Sequence, residues 1–120
     1  MIAFDELHDF YARYAEALDD GRLAEWPAFF VEDCLYRIVP RENWEANLPL
    51  ATVHAESRAM LRDRVDGLEK AMVFAPRYYR RFFSGTRIVS TEGGAAKVRQ
   101  NVVVVQTPID KASTIILSGI

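Results

Sequence analysis

The sequence predicts an α+β domain in which helices come first and an antiparallel sheet comes last. Apolar residues recur at helical spacing from Phe4 to Leu18 and again from Met60 to Met72, whereas Tyr78 to Gly119 alternates with a period of two. The order is helix, helix, strand, helix and then strands, so helices and strands are segregated. A chain of 120 residues fits one domain, residues 1–120, because a single core typically spans about 100 to 200 residues.

The first helix is predicted by a stripe of apolar residues with the spacing of one buried face. The stripe consists of Phe4, Leu7, Tyr11, Tyr14, Ala15 and Leu18. Gly21 is expected to end this helix, since glycine is common just after a helix C-terminus. A short second helix is predicted from Arg22 to Phe30, with its heavy apolar side at Trp26 and Phe29, and Pro27 favours dividing it into two pieces.

A strand is predicted from Asp33 to Val39, and Pro40 closes it. Residues Arg41 to Pro49 lack a clear period and are predicted to form a loop. Ala51 to Ala55 is predicted to be a short edge strand. Ser57 then has the position of an N-cap for a third helix, whose apolar stripe is Met60, Leu61, Val65, Leu68 and Met72.

Three strands joined by short turns are predicted between Tyr78 and Gly119. Gly93 and Gly94 favour a tight hairpin, because both can adopt positive φ. Pro108, Asp110 and Lys111 mark the second turn. One face of the middle strand is Val98, Gln100, Val102 and Val104, and the other begins with Lys97, Arg99 and Asn101. That second face turns apolar at Val103 and Val105, which predicts cover on both sides there.

Charge and composition argue against several classes of partner. The net charge of −2 gives no reason to expect nucleic acid, and no apolar run is long enough to cross a bilayer. The segment Met1 to Phe10 is acidic and lacks the basic region of a secretory signal. Cys34 is the single cysteine, which is typical of a reducing compartment. We therefore expect a cytoplasmic protein that binds neither nucleic acid nor membrane.

The chain offers few groups for metal or covalent chemistry. A Rieske centre needs two Cys and two His ligands, and a mononuclear non-haem iron site needs two His and a carboxylate. The sequence provides Cys34, His8 and His54, so no Rieske cluster can form on one chain, and the two histidines lack a paired spacing. We expect no metal, no cofactor and no catalytic residue here.

Four segments of the chain form an ordered pattern: DFYARYAEALDDGRLAEWPAFFVEDCLYRIVP, ESRAMLRDRVDGLE, YYRRFFSGTRIV and IILSG. Their most specific features are a Tyr-bearing first helix, W-P-x-F-F, D-C-x-Y and M-L-x-D-R. In order and spacing, this set resembles the small (beta) subunit of bacterial aromatic-ring-hydroxylating dioxygenases. The resemblance covers nearly the whole chain.

The resemblance implies a particular fold and assembly. The fold is the cystatin-like cone of the nuclear-transport-factor-2-like superfamily, in which a curved, mostly antiparallel sheet wraps around N-terminal helices. The assembly is a hetero-hexamer, with a homotrimer of beta subunits that positions the alpha subunits for catabolism of aromatic compounds. The alpha subunit carries the Rieske iron–sulfur cluster and mononuclear iron. Family chains continue past the segment matching Ser118 and Gly119 into another long strand, so that final strand is expected to be missing here, where the sequence stops at Ile120.

A different function stays open: a stand-alone enzyme on the same cone, of isomerase, dehydratase or cyclase type, acting on a small hydrophobic molecule. Acid–base chemistry there would need an ionisable group in apolar surroundings, with its pKa moved toward neutrality. The candidates are Tyr14, Asp33, Tyr36 and His54. Each also fits a structural role. Tyr14 fits the core stripe, Asp33 a turn before the strand, Tyr36 a half-buried strand aromatic, and His54 a hydrogen-bonded structural or interface residue.

Several residues are candidates for contact with the alpha subunit or a neighbouring beta subunit. Trp44 lies in the predicted loop with no apolar stripe to join, and Trp is enriched in protein contacts. Arg62 and Arg64 on the third helix could pair with acidic groups of a partner subunit, or locally with Asp66 or Glu69.

A basic cluster at a strand end adds two further candidates, Arg80 and Arg81, beside Arg77. The cluster is interpreted as a solvated strand end or as part of an interface.

Overall fold

The structure, a computed structural model, describes residues 3–48 and 50–120. Helix α1 spans Phe4–Asp19. Leu7 and Leu18 from the predicted stripe are buried, which confirms the predicted helix. Phe4 lies in the first turn and stays 53% exposed. Gly21 has a φ of +76°, a conformation that glycine adopts at little cost, and the helix ends just before it.

A 3-10 helix, Leu23–Phe29, occupies the predicted second helical segment. Trp26 and Pro27 are buried in it. The Pro27 carbonyl oxygen accepts a hydrogen bond from the Phe30 N–H at 3.1 Å. The expected division into two pieces does not occur, because the i to i+3 hydrogen bonds of a 3-10 helix suit one short segment.

Strands β1 (Tyr36–Ile38) and β2 (Val53–Ala55) pair antiparallel in a small sheet. Both are shorter than the predicted strands 33–39 and 51–55. Asp33 instead lies in a turn. At the end of the β1–β2 pairing, the N–H and the hydroxyl of Thr52 both donate hydrogen bonds to the Ile38 carbonyl oxygen, at 2.8 and 3.0 Å.

Helix α2 (Arg41–Glu45) corrects the prediction of a loop across residues 41–49. Pro40 precedes it, and its carbonyl oxygen accepts from the Trp44 N–H at 3.1 Å. Arg41 and Glu45 form an ion pair one turn apart at 2.8 Å, a spacing that stabilises helices. Pro49, at the end of the predicted loop, lies outside the described residues.

Helix α3 (Arg58–Phe74) begins where predicted and contains the whole predicted stripe. The Ser57 hydroxyl oxygen accepts from the Met60 N–H at 3.2 Å, which confirms the predicted N-cap. Leu61 and Val65 are 0% and 4% exposed, whereas Met60 is 42% exposed. The buried stripe is therefore narrower than predicted.

Strands β3 (Arg77–Glu92), β4 (Ala95–Pro108) and β5 (Thr114–Gly119) form an antiparallel sheet in sequence order, as predicted. Gly93 and Gly94 connect the first two strands with φ values of +56° and +79°, which suits a two-residue hairpin turn. No helix in the described part of the chain is long and apolar enough to cross a membrane.

The core lies between the helices and the small sheet. Its buried members are Leu18, Trp26, Cys34, Ala55, Leu61 and Val65. Helix α1 also covers one face of the large sheet, where the Tyr11 and Phe83 ring centroids are 5.6 Å apart. The cover predicted on the second face is partial among the described residues: Val103 and Val105 are half-buried, whereas Tyr78 and Phe82 beside them on β3 are 68% and 56% exposed.

Candidate functional site

A cluster of aromatic rings lies where α1, the 3-10 helix, β1 and β3 meet. Ring centroids within it are 5.3 to 6.4 Å apart, mostly with edges packed against faces, an arrangement that aromatic pairs prefer. The rings belong to Phe10, Tyr11, Tyr14, Trp26, Phe29, Phe30, Tyr36 and Phe83. This cluster packs α1, the 3-10 helix, β1 and β3 against one another.

Two candidate catalytic residues, Tyr14 and Tyr36, belong to this cluster, and both contact Phe30. Burial raises the pKa of Tyr14 to about 12, and the nearby Trp26 indole N–H opposes that rise. Burial also raises the pKa of Tyr36, against the attraction of Arg64 and Arg81. Both phenols are therefore neutral near pH 7 and cannot act there as bases.

The Trp26 indole N–H is the most constrained polar group of the cluster. It is buried and has no hydrogen bond of good geometry to any described residue, although it lies close enough to the Tyr14 hydroxyl to affect its pKa. Its position is set by packing, since Trp26 is 3% exposed and contacts Phe30 and Tyr36 edge to face.

Beside the aromatic cluster lies an ion pair that sequence reasoning missed. The Asp19 carboxylate accepts from the backbone N–H of Arg81 at 2.9 Å and from its guanidinium Nη1 at 2.7 Å. The Asp19 side chain is 3% exposed and that of Arg81 20%. The sequence contained one signal for this pair. Asp19 is at the C-terminus of α1, where an acidic side chain is unfavourable unless a cation lies near.

The other two candidates, Asp33 and His54, lie on the surface. Asp33 is exposed in a turn. His54 is on β2, opposite Arg37, and its Nε2 lies 3.0 Å from Glu56 Oε1. The structure thus brings Tyr14 and Tyr36 together and leaves the carboxylate and imidazole candidates outside that cluster.

Metal ligation finds little support in the geometry. Within residues 3–48 and 50–120, no three side chains of the His, Cys, Asp or Glu type come together in a way that could hold an ion. Cys34 is buried and unpaired by disulfide.

The interface candidates differ in exposure. Trp44 on α2 is 69% exposed, and Arg62, Arg64 and Arg80 are also exposed. Arg62 and Arg64 form no ion pair with a described residue, so the local pairs considered for them are not formed. Arg81 points inward to Asp19, which gives it an internal partner.

The α+β fold and the exposed Trp44 fit a subunit of a larger assembly, because Trp is enriched at protein interfaces. Residues 13–119 match the family described as ring hydroxylating beta subunit. The chain is 40% identical over 119 residues to the anthranilate 1,2-dioxygenase small subunit of Burkholderia cepacia, covering 99% of this chain and 74% of that one. The chain therefore belongs to the ring-hydroxylating dioxygenase beta-subunit family.

Solved structures agree with this assignment. A beta subunit assigned to an aromatic-ring-hydroxylating dioxygenase of Novosphingobium aromaticivorans matches with a TM-score of 0.84 and 38% identity, over 94% of this chain and 71% of that one. The benzoate 1,2-dioxygenase beta subunit of Burkholderia mallei matches with a TM-score of 0.80, over 96% and 76% of the two chains. Its 18% identity shows the fold alone. The predicted cone fold and the family resemblance are confirmed.

Proposed function

We propose that this chain is the cytoplasmic, non-catalytic beta subunit of a dioxygenase that oxidises an aromatic compound. It trimerises and holds three alpha subunits in a hetero-hexamer, and the alpha subunits carry the Rieske cluster and the mononuclear iron. The family match across residues 13–119 carries this proposal, because membership of a beta-subunit family implies an alpha partner.

The donor chemistry of the chain supports this division of labour. A Rieske cluster takes two Cys and two His ligands, and the sequence has one Cys and two His. Cys34 is buried in the core, and His54 is next to Glu56 on the surface. Iron and its chemistry are therefore assigned to the larger partner chain.

The contribution of this chain is a rigid shape. The Asp19–Arg81 pair fixes the end of α1 to β3, and the Tyr11, Tyr14 and Phe83 rings pack the same two elements together. Electron transfer between neighbouring alpha chains depends on their spacing. A scaffold that fixes this spacing affects turnover without touching the substrate.

The surface around α2 is proposed to contact the alpha subunit. Trp44, Leu48 and Leu50 are 69%, 48% and 61% exposed and follow one another closely in sequence. An exposed Trp among leucines is the kind of anchor that dominates protein interfaces. We also propose that the exposed Arg62, Arg64 and Arg80 contact a partner subunit.

Replacing Trp44 with Ala tests this assignment. We expect binding to the alpha subunit to weaken by at least about tenfold, because truncating an interface Trp commonly costs about 2 kcal/mol or more. Affinity is measured with immobilised alpha subunit. Stability should stay within about 0.5 kcal/mol of wild type, since the side chain is exposed.

The matched control is Val73→Ala, which removes an apolar side chain that is 76% exposed at the end of α3. It should leave alpha binding unchanged. Equal affinity of the Trp44→Ala and Val73→Ala variants would show that α2 is not part of the interface.

A further inference from the structure

The outer face of the large sheet, which faces away from α1, has an apolar half. Tyr78 and Phe82 of β3 are 68% and 56% exposed, and Ile115 of β5 is 67% exposed. Between them lie Val103 and Val105 of β4, which are opposite Phe82 and Arg80 in the strand register. Exposed apolar residues of β3 and β5 thus flank two half-buried valines of β4, and an exposed apolar patch of this kind marks an interaction surface.

The other half of the same face is basic. Arg87 of β3 lies directly opposite Arg99 of β4, and Lys97 is opposite Ser90. All three basic side chains are exposed. None forms an ion pair with a described residue. Like charges directly opposite each other destabilise a sheet, so this arrangement favours an anionic surface from another molecule.

The outer side of α1 has the opposite charge. Between residues 4 and 20 the chain has six acidic residues and one basic residue, of which Asp19 is neutralised by Arg81. Asp5, Asp9 and Glu16 recur at a spacing that places them on one side of the helix, opposite the stripe that contains Leu7. All three are exposed.

The two charged surfaces lie on opposite sides of the molecule, because α1 packs against the inner face of β3. We propose that the outer face of β3 and β4 receives the acidic side of α1 from a second copy of this chain, head to tail. This inference rests on the proposed function, in which beta subunits trimerise.

A head-to-tail contact explains both surfaces at once. It uses two different patches on each copy, so successive copies can close into a ring such as a trimer. A symmetric contact between two sheet faces would instead bring arginines of one copy against arginines of the other, and like charges across an interface oppose binding. The apolar half of the face then forms the dry part of the contact, and the charged half lies beside it.

Charge reversal on each surface tests the contact. The sheet variant is Arg87→Glu with Arg99→Glu, the helix variant is Asp5→Lys with Glu16→Lys, and a third variant combines all four changes. Association is followed by sedimentation equilibrium, with and without the alpha subunit. Each two-site variant should weaken self-association by at least about tenfold, and the combined variant should recover most of it.

A control with the same change in net charge as the sheet variant is Lys70→Glu with Lys111→Glu, two exposed lysines outside both surfaces. It should associate like wild type, and circular dichroism should show every variant folded. The contact is overturned by a sheet variant that associates like wild type, by a combined variant no better than the two-site variants, or by a wild-type chain that is monomeric in every sample.

Alpha binding in the same samples separates the two proposals. A chain that self-associates but does not bind the alpha subunit would overturn the proposed function and would still support the head-to-tail contact. Hexamers that form equally well with the sheet variant overturn the contact and leave the proposed function standing. Binding of heparin to the arginines with self-association unchanged would assign the basic half to a polyanion and overturn the contact as well.

Discussion

At the scale of single residues, Asp19–Arg81 has the least exposed side chains of the ion pairs in the described structure. The Asp19 side chain is 3% exposed and both of its oxygens accept hydrogen bonds from Arg81. A buried carboxylate is costly unless it is paired and hydrogen-bonded. The pair is therefore a local requirement for α1 to dock on β3.

Replacing Arg81 with Met should destabilise the chain strongly. The change leaves the Asp19 carboxylate buried without its cation, a loss that typically costs about 3 to 5 kcal/mol. Urea denaturation measures the change in the free energy of unfolding. Adding Asp19→Asn to Arg81→Met should recover part of the loss, since the neutral amide is cheaper to bury.

The control is Arg13→Met, which removes the cation of the exposed Asp9–Arg13 pair, whose side chains are 68% and 60% exposed. Surface pairs contribute about 1 kcal/mol or less. Similar losses for Arg81→Met and Arg13→Met would contradict the buried role of the first pair.

Tyr14 should ionise late in the folded chain. Its pKa is raised to about 12 by burial, against about 10 in an unfolded chain. Folding therefore favours the neutral phenol. The stabilisation is fully present below pH of about 10 and is lost as the pH rises from about 10 to about 12.

Absorbance at the phenolate band, recorded for wild type and Tyr14→Phe, isolates this residue. The difference between the two titrations should have its midpoint well above pH 10 in native protein and near pH 10 in urea. A native midpoint near 10 would show that Tyr14 is solvated.

Residue-level features were predictable only where the cause is local. The Ser57 cap depends on a neighbour three positions away, and its position in front of an apolar stripe revealed it. Asp19 and Arg81 are 62 positions apart, so spacing could not pair them. The packing of Tyr14 and Tyr36 around Trp26 likewise depends on three separate elements.

At the scale of elements, the β3–β4 hairpin depends on its two-glycine turn. Gly94 has a φ of +79°, and an added Cβ there would meet nothing within 4 Å. The cost of Gly94→Ala is therefore conformational and should be about 1 kcal/mol of destabilisation, measured by thermal or urea unfolding.

Gly67→Ala in α3 is the matched comparison. Gly67 has nothing within 4 Å of an added Cβ and no positive φ, and Ala is favoured over Gly inside helices by about 1 kcal/mol. This variant should be stabilised. The same sign for both variants would contradict the turn geometry or the helix assignment.

Long elements were predictable because each contains several periods of its pattern. Helix α1 has 16 residues and β3 also has 16. Strand β1 and helix α2 have three and five residues, too few for a period to show. The region around these short elements is held by contacts between residues that are far apart in the sequence. For example, the Arg58 Nε donates a hydrogen bond to the Phe30 carbonyl oxygen at 2.9 Å.

At the scale of the whole molecule, the outer side of α1 is acidic and the outer face of β3 and β4 has a basic half. The order of elements predicted the α+β class, and the family resemblance implied the cone. Its motifs W-P-x-F-F and D-C-x-Y contain the core residues Trp26 and Cys34. The uncovered outer face was not predicted, because the alternating pattern of β4 shows which residues share a face and not what covers it.

The most direct test of the central claim is native mass spectrometry of this chain co-expressed with its alpha subunit, with iron measured in each separated subunit. We predict a hexamer with equal numbers of the two chains, iron in the alpha subunit alone, and oxidation of the aromatic substrate by the complex alone. A lone chain that binds and converts a small molecule, or that retains iron on its own side chains, would contradict the account.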